Sequence, residues 1–403
     1  MKKTFYLLIA LIAIGCTQNF DSDNFLLSES IENNAAIELV KSFAESIKGN
    51  QIEARSAIQS NMIITEIESK TLYFDISEDL RSQRSNIDSK SVSVQLKTVK
   101  FNRNGKSGFS IVSDDSRTNR VYAYVENGSL SDTTFNIGLT IALEKIERAC
   151  EYDLVDYYKN EKFVPTRADF PLLVNNILPT YWDQTAPFNL SAPPTSCSRP
   201  NEWAYAGRAA AGCTPVAVSQ AVAFLCPPAI SQNFDLLTLR QSNFQSGSIS
   251  GPNIGNLSTF IGYIGYCVNA SYGCNTGAWS KEIRDEFSSW GIFYQFYSNT
   301  NIDLGKLAQN LNYHLPHITS GFRKSPREGH TWLWTGIHCW CSGIKSNGEY
   351  IVYPGTVLLY CNWGWGGSSD GWFVEYERPD PNKPSFLDDN DQLYITGTSY
   401  VRP

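Results

Sequence analysis

The chain reads as an α+β protein in two parts, and three observations carry that reading. Helical and strand-like periodicities alternate through residues 33–158. A polar, proline-bearing linker follows at 162–169. Beyond it the composition changes, because all ten Trp and all four His lie after that linker. With about 150 residues per domain as a guide, a length of 403 residues fits two or three domains. A hydrophobic content of 42% excludes wholesale disorder. The balance of 33 basic against 40 acidic side chains leaves a net charge of −7, so the basic footprint of a nucleic-acid binder is absent.

Taken in order, Lys2 and Lys3 precede an apolar run from Phe5 to Ile14, too short to span a bilayer, which needs about 20 residues. Charge, short apolar run and small residues in sequence read as an export signal over 1–16. The stretch Ala13-Ile14-Gly15-Cys16 resembles a bacterial lipobox, with Ala13 where Leu is usual. Two outcomes follow: lipidation of Cys16 and a membrane anchor, or simple cleavage and release. Residues 17–32 are polar and read as a tether. Ala36, Val40, Phe43, Ala44 and Ile47 recur at helical spacing. From Ser91 the pattern turns to strands: Val92, Val94 and Leu96, then 109–112 and 121–125, with Asn127-Gly128 as a turn. Leu139 to Tyr158 reads as a second helix. The linker carries Arg167, with Arg148, Lys159 and Lys162 as neighbouring basic residues.

Three motifs in the second part carry chemistry. Cys213 stands in Ala211-Gly212-Cys213-Thr214-Pro215, ahead of an apolar helical face ending at Pro227-Pro228. A cysteine at a helix N-terminus has its thiolate favoured by the helix dipole. Alone, the motif fits a small buried core cysteine as well. Gly329-His330 opens an apolar strand and places an imidazole on a rigid element; alone, it also fits a satisfied core histidine. Asn362-Trp363-Gly364-Trp365-Gly366-Gly367 follows a strand at 357–360, and alone reads as a Gly/Trp hairpin turn. Together they supply a nucleophile, a base and an amide able to orient the base. His314 and His317 are rival bases without the following strand. His338, Cys339 and Cys341 raise the question of a metal, but zinc cysteines more often come as C-x-x-C pairs, and Trp332 to Trp340 reads as a buried strand. No metal and no organic cofactor is therefore expected. Cys267 and Cys274 could close a small loop, a Cys339–Cys341 disulfide would be strained, and overall connectivity is not readable from spacing.

The G-C-x-P-x-A-x-x-Q run at Cys213, the G-H-x-W run at His330 and the N-W-G-W-G-G run at Asn362 resemble the streptopain family of cysteine peptidases. The resemblance covers roughly residues 170–380. It implies a papain-like catalytic domain at 168–403, with Cys213 on the helical part and His330 and Asn362 on the antiparallel β part. It implies a small α+β propeptide domain at 33–167 that inhibits the catalytic domain and displaces its histidine. Cys213 is then the nucleophile, His330 the general acid/base and Asn362 its orienter, with Trp363 and Trp365 as the wall beside them. Trp182-Asp183-Gln184 with Pro187-Phe188-Asn189 resembles the family's lead-in to the catalytic domain, which makes Gln184 the side-chain oxyanion donor; a polar loop residue is the other reading. The stretch between His330 and Asn362 is longer than the family leads one to expect, with a turn at Ser346-Asn347-Gly348.

These observations lead to an exported zymogen that hydrolyses protein or peptide substrates, held at the outer membrane or cell surface by lipid or secreted after cleavage near Arg167. An acyltransferase on the same scaffold and a non-catalytic surface lipoprotein binding peptide or glycan are the rival readings.

Overall fold

The computed structural model describes residues 22–48, 62–75, 91–159, 161–196, 202–241, 244–245, 248–249, 254–278, 280–297, 303–323, 328–375 and 392–398. The apolar leader and Cys16 lie outside these residues. The first helix, α1 (Ser22–Ser46), begins inside the stretch 17–32 expected to be a tether, and 17–21 lie outside the described residues. Its Ala36, Val40, Phe43 and Ala44 are buried, as their spacing requires.

Strands β1 (Ile63–Asp75), β2 (Ser91–Arg103), β3 (Lys106–Ser113) and β4 (Arg120–Val125) form an antiparallel meander. Helix α2 (Ile137–Lys159) follows. Asn136, itself fully buried, caps it by accepting the Leu139 N–H at 3.0 Å. Leu139, Ile141, Ile146 and Leu154 make its buried face.

The second part supplies β5 (Phe170–Val174), α3 (Cys213–Leu225), α4 (Ile254–Cys267), α5 (Ser280–Ser289), β6 (Ile292–Tyr297), α6 (Leu304–Asn312), β7 (His317–Arg323), β8 (Glu328–Ile344), β9 (Tyr350–Val352), β10 (Leu358–Asn362), β11 (Gly371–Val374) and β12 (Gln392–Thr398). The longest strand, β8, is the hub: β5, β7, β9 and β10 all pair with it. The β8–β9 hairpin turns at Ser346-Asn347-Gly348, where the sequence places a turn.

The two parts share one sheet. Gly371, Trp372 and Phe373 of β11 pair antiparallel with Val125, Tyr124 and Ala123 of β4, so the ladder runs β1-β2-β3-β4-β11-β10-β8-β7-β12-β6. Helix α2 covers one face, packing on Trp332, Trp334, Ile337 and Cys339 of β8. Helix α1 covers another, packing on Val99, Phe101, Tyr124, Leu358 and Trp372. The Cys213 helix α3 packs with α4 and α5 in a third core that reaches Ile318 and Leu333. Strand alternation thus parts His338, which meets Phe43 of α1, from Cys339 and Cys341, which sit in the α2 core. Those two thiols are free, with sulfurs 3.8 Å apart. Cys274 is disulfide-bonded, but Cys267 is a free thiol, so the small loop between them is not closed by a bridge. Among the described residues no helix is long and apolar enough to cross a membrane, and no group of three or more His, Cys, Asp or Glu is placed to hold a metal ion.

Phe43 joins the two parts, with its ring edge-on to Tyr124, His338 and Trp372 at 5.5, 5.5 and 6.4 Å. Burial, with the Arg120 guanidinium adding to it, pushes the His338 imidazole down to about 4. Phe43→Ala should cost about 3–5 kcal/mol in denaturant unfolding. It should also let the His338 titration, followed by NMR, climb toward the ordinary histidine range near 6.5. An unchanged His338 midpoint in a folded variant would show that α1 does not control that site.

Candidate active site

Cys213 is placed by a glycine. Gly212, the residue before the helix, has φ 97°, and a side chain there would lie 2.7 Å from Thr276 Cγ2. Only glycine tolerates both demands. The chain therefore turns sharply into α3 with the thiol in its first turn, and Pro215, which needs no N–H there, follows. Cys213 is half-buried while the rest of α3 is buried.

His330 sits near the start of β8 and is 5% exposed. The residues next to the two groups touch, because the Thr214 and Thr331 hydroxyls lie 2.9 Å apart. Burial pushes the Cys213 thiol up. Hydrogen bonding to His330, the charge of that imidazole, a backbone hydrogen bond from Thr331 and the Thr214 hydroxyl outweigh it, and the thiol comes down to about 7. His330 Nε2 lies 2.8 Å from the Trp363 carbonyl oxygen. A carbonyl can only accept, so the proton of neutral His330 is on Nε2, and Nδ1 is left to exchange a proton with the thiol.

Asn362, expected to orient the imidazole, does not bond to it. Its Nδ2 donates to the Thr180 carbonyl at 3.0 Å and to Gln220 Oε1 at 3.3 Å. Its Oδ1 accepts from Gln220 Nε2 at 3.1 Å and from the Gly364 N–H at 3.2 Å. Those bonds use the full capacity of the amide. The chain turns just after Asn362 leaves its pairing with Leu333, so it is the next residue's carbonyl that reaches the ring.

Trp363 is held tightly in turn. Its N–H donates to Asp370 Oδ1 at 2.9 Å and its indole Nε1 donates to the Ser369 carbonyl at 2.8 Å. Burial pushes the Asp370 carboxyl up to about 7, with the Trp363 N–H opposing it. The Trp363 ring lies beside His330, with centroids 6.4 Å apart. Trp365 stands further out, its ring edge-on to Phe135 at 5.5 Å.

Gln184 is 4% exposed, and its backbone carbonyl accepts the Ala211 N–H at 2.9 Å, which straps it to the run leading into Cys213. Its Nε2 is buried and has no partner. Such a donor costs about 1–3 kcal/mol when left unmet, and it suits a site where negative charge appears only during reaction.

The segment 130–138 lies over this group. Asp132 Oδ2 accepts from the Ser368 and Ser369 hydroxyls, each at 2.7 Å. Phe135 meets Trp365, and Gly138 abuts the base: a methyl group added there would collide with the Trp363 ring and lie 2.6 Å from His330 Cδ2. The resemblance implies a displaced histidine. Here the ring stays beside the thiol, because glycine at 138 brings no side chain to push it.

The other sequence-named residues lie apart. His317 does open a strand, but it is buried and stacked on Trp334 at 5.0 Å. His314 is exposed. Arg167 is exposed between two anchors, Phe163 against Tyr353 at 4.3 Å and Asp169 accepting from the Tyr353 hydroxyl at 3.0 Å. Sequence reasoning did not assign Gln220, Asp370 or Gly138. A lone amide in an apolar helix and a lone acid in a Gly/Trp run were the available signals for the first two.

The model of the Peptidase C10 family matches residues 182–373. Streptopain of Streptococcus pyogenes is 24% identical over 321 residues, 70% of this chain and 73% of that protein. In fold the chain is similar to a fragment of prointerpain A from Prevotella intermedia, with a TM-score of 0.50, 18% identity, and 76% of this chain and 96% of that one covered.

Alkylation of Cys213 by iodoacetamide should follow a midpoint near pH 7. In His330→Ala the midpoint should move to 9 or above, since burial alone raises a thiol. Equal midpoints in the two proteins would dissolve the pair.

Proposed function

Residues 182–373 are a cysteine peptidase domain of the Peptidase C10, or streptopain, family, and from that premise we propose that the chain is the latent precursor of an exported cysteine endopeptidase. The observation that carries the proposal is the Cys213 thiol drawn down to about 7 beside a His330 whose other nitrogen is held by a backbone carbonyl.

The steps follow from that geometry. His330 Nδ1 takes the thiol proton, and the Cys213 sulfur attacks the peptide carbonyl carbon. The oxygen becomes an anion, met by the Cys213 N–H at the helix N-terminus and by Gln184 Nε2. The tetrahedral species collapses as His330 gives its proton to the departing amine nitrogen. The resulting Cys213 thioester is then attacked by water, with His330 taking the water's proton; the carbon–sulfur bond breaks, the acid leaves, and His330 returns the proton to the Cys213 sulfur. No metal or organic cofactor takes part. The bond from His330 to Trp363 keeps the ring aligned while it turns from neutral to cationic and back.

Latency comes from cover. Residues 33–167 act as the prosegment, and 130–138 lie across Trp363, Trp365 and His330. Activation is cleavage within 164–168, the exposed span around Arg167. Arg148 and Lys159 lie within α2, where a peptidase cannot seat the backbone in extended form, and Lys162 is tied to the Ser116 carbonyl at 2.6 Å. Before processing, a lipid on Cys16 would hold the precursor at the outer membrane or cell surface. Processing near Arg167 would release the catalytic part.

Casein hydrolysis should appear when the precursor is nicked with trypsin and be absent in Cys213→Ala treated alike. Loss of casein hydrolysis with transfer of the acyl group to an added amine would favour the acyltransferase. No activity, with Cys213 inert toward an epoxide inhibitor, would favour a binding protein. Phe135→Ala should loosen the cover by removing the ring that meets Trp365, so that the unnicked precursor hydrolyses a small fluorogenic peptide at least ten-fold faster than the parent. An unchanged rate in that variant would place latency elsewhere.

A further inference from the structure

Four polar groups meet where the Cys213 helix crosses the sheet that holds His330. Gln220 lies two helical turns along α3 from Cys213, on the same face. It is fully buried among Val216, Ala217, Val218, Ala221 and Val222. A primary amide in such surroundings is costly unless every polar atom is matched. Its Nε2 donates to Asn362 Oδ1 at 3.1 Å, and Asn362 Nδ2 donates back to Gln220 Oε1 at 3.3 Å, so the two amides pair reciprocally. The Thr180 hydroxyl donates to Gln220 Oε1 at 2.8 Å, and the Thr180 carbonyl accepts from Asn362 at 3.0 Å. Asn362 also takes the Gly364 N–H, which bounds the far side of Trp363. Thr180, Gln220 and Asn362 are each at most 1% exposed.

We propose that Gln220 is a positioning residue: with Asn362 it forms an amide clamp between α3 and β10 that sets the spacing of the Cys213 thiol and the His330 imidazole. One end of the clamp is rigid with the nucleophile, through α3. The other is rigid with the Trp363 peptide, whose carbonyl holds the base. Apolar contacts between α3 and the sheet are non-directional and allow sliding. The amide pair allows one register, because each donor has a fixed acceptor. Asn362 thus acts on the imidazole through the position of Trp363. Thr180 carries the same register to Trp182 and Gln184, since the Trp182 N–H also points at Gln220 Oε1, at 3.5 Å.

The inference rests on the peptidase reading, and its test uses two independent measurements on the nicked full-length protein. The first is hydrolysis of a fluorogenic peptide. The second is the pH midpoint of Cys213 alkylation, which needs no turnover. Gln220→Ala and Asn362→Ala should each lower kcat at least ten-fold with KM within about two-fold, and each should raise the alkylation midpoint. The double variant should be no more than about two-fold worse than the poorer single one, since either change opens the same clamp. Gln220→Glu guards against simple unfolding. The carboxyl it introduces can donate to Asn362 while protonated, as the glutamine does, and cannot once ionised. That variant should keep activity at low pH and lose it as pH rises, through an ionisation the parent lacks. The clamp is overturned if Gln220→Ala keeps its kcat and its alkylation midpoint, or if only Asn362→Ala is impaired, which would mean that Asn362 serves the imidazole alone. If the parent hydrolyses no peptide while the midpoints still shift, the peptidase reading falls and the clamp stands.

Discussion

The hydrogen bond from His330 Nε2 to the Trp363 carbonyl joins β8 to the residue just past the end of β10, beyond the last pair of those two strands, Leu333 with Asn362. It fixes the imidazole tautomer, and with it the nitrogen turned to Cys213. Because the acceptor is backbone, its place depends on the path of residues 362–370. That path is held from several sides: Asp370 on the Trp363 N–H, Ser369 on its indole, and Asn362 on the next N–H. The thiol is placed separately, by a glycine turn into a buried helix. The Thr214–Thr331 contact and the Gln220–Asn362 amide pair then bring the two constructions into register.

The same strands carry the contacts with the N-terminal part. Strand β11, next to β10, is the one that accepts β4 of the N-terminal part, so the sheet that holds the base continues into the segment that covers it. Gly138 can touch His330 only because α2 is laid on the face of that sheet and begins, capped by Asn136, directly above the base. Cover and site are therefore positioned by one ladder, and a shift between the two parts would move both.

Much of the fold was legible as periodicity. The buried faces of α1 and α2 lie at helical spacing, and the long apolar run in β8 announced a buried strand. The early start of α1 was not legible, because the polar cluster Asp21-Ser22-Asp23-Asn24 reads as a tether and outweighed the apolar Phe25, Leu26, Leu27 and Ile31 that follow it. Nor was the pairing of β4 with β11, since alternation shows that a strand has a buried face but not which strand lies beside it. At the site, the pairing of Cys213 with His330 was readable because a thiol and an imidazole are side chains with a residue signature. The group that bonds the base was not, because a carbonyl has no residue signature, and Asn362 stood one position away with an amide of the right chemistry. Gln220 was visible as an oddity in an apolar helix, but its partner across the sheet depends on the packing of α3.

The β4–β11 ladder has a further consequence for any cut in the exposed 164–168 span. Cleavage there removes the covalent tie and leaves the ladder, the Phe43 contacts and the α2 core intact, so the two pieces begin as a bound pair. A contact that was intramolecular becomes a bimolecular equilibrium, and its occupancy follows concentration. Where the pieces are crowded together on a surface, nicked molecules would stay closed. Where they are free to diffuse away, the same molecules would open, so that dilution, and not the cut alone, would decide when the cleft is cleared.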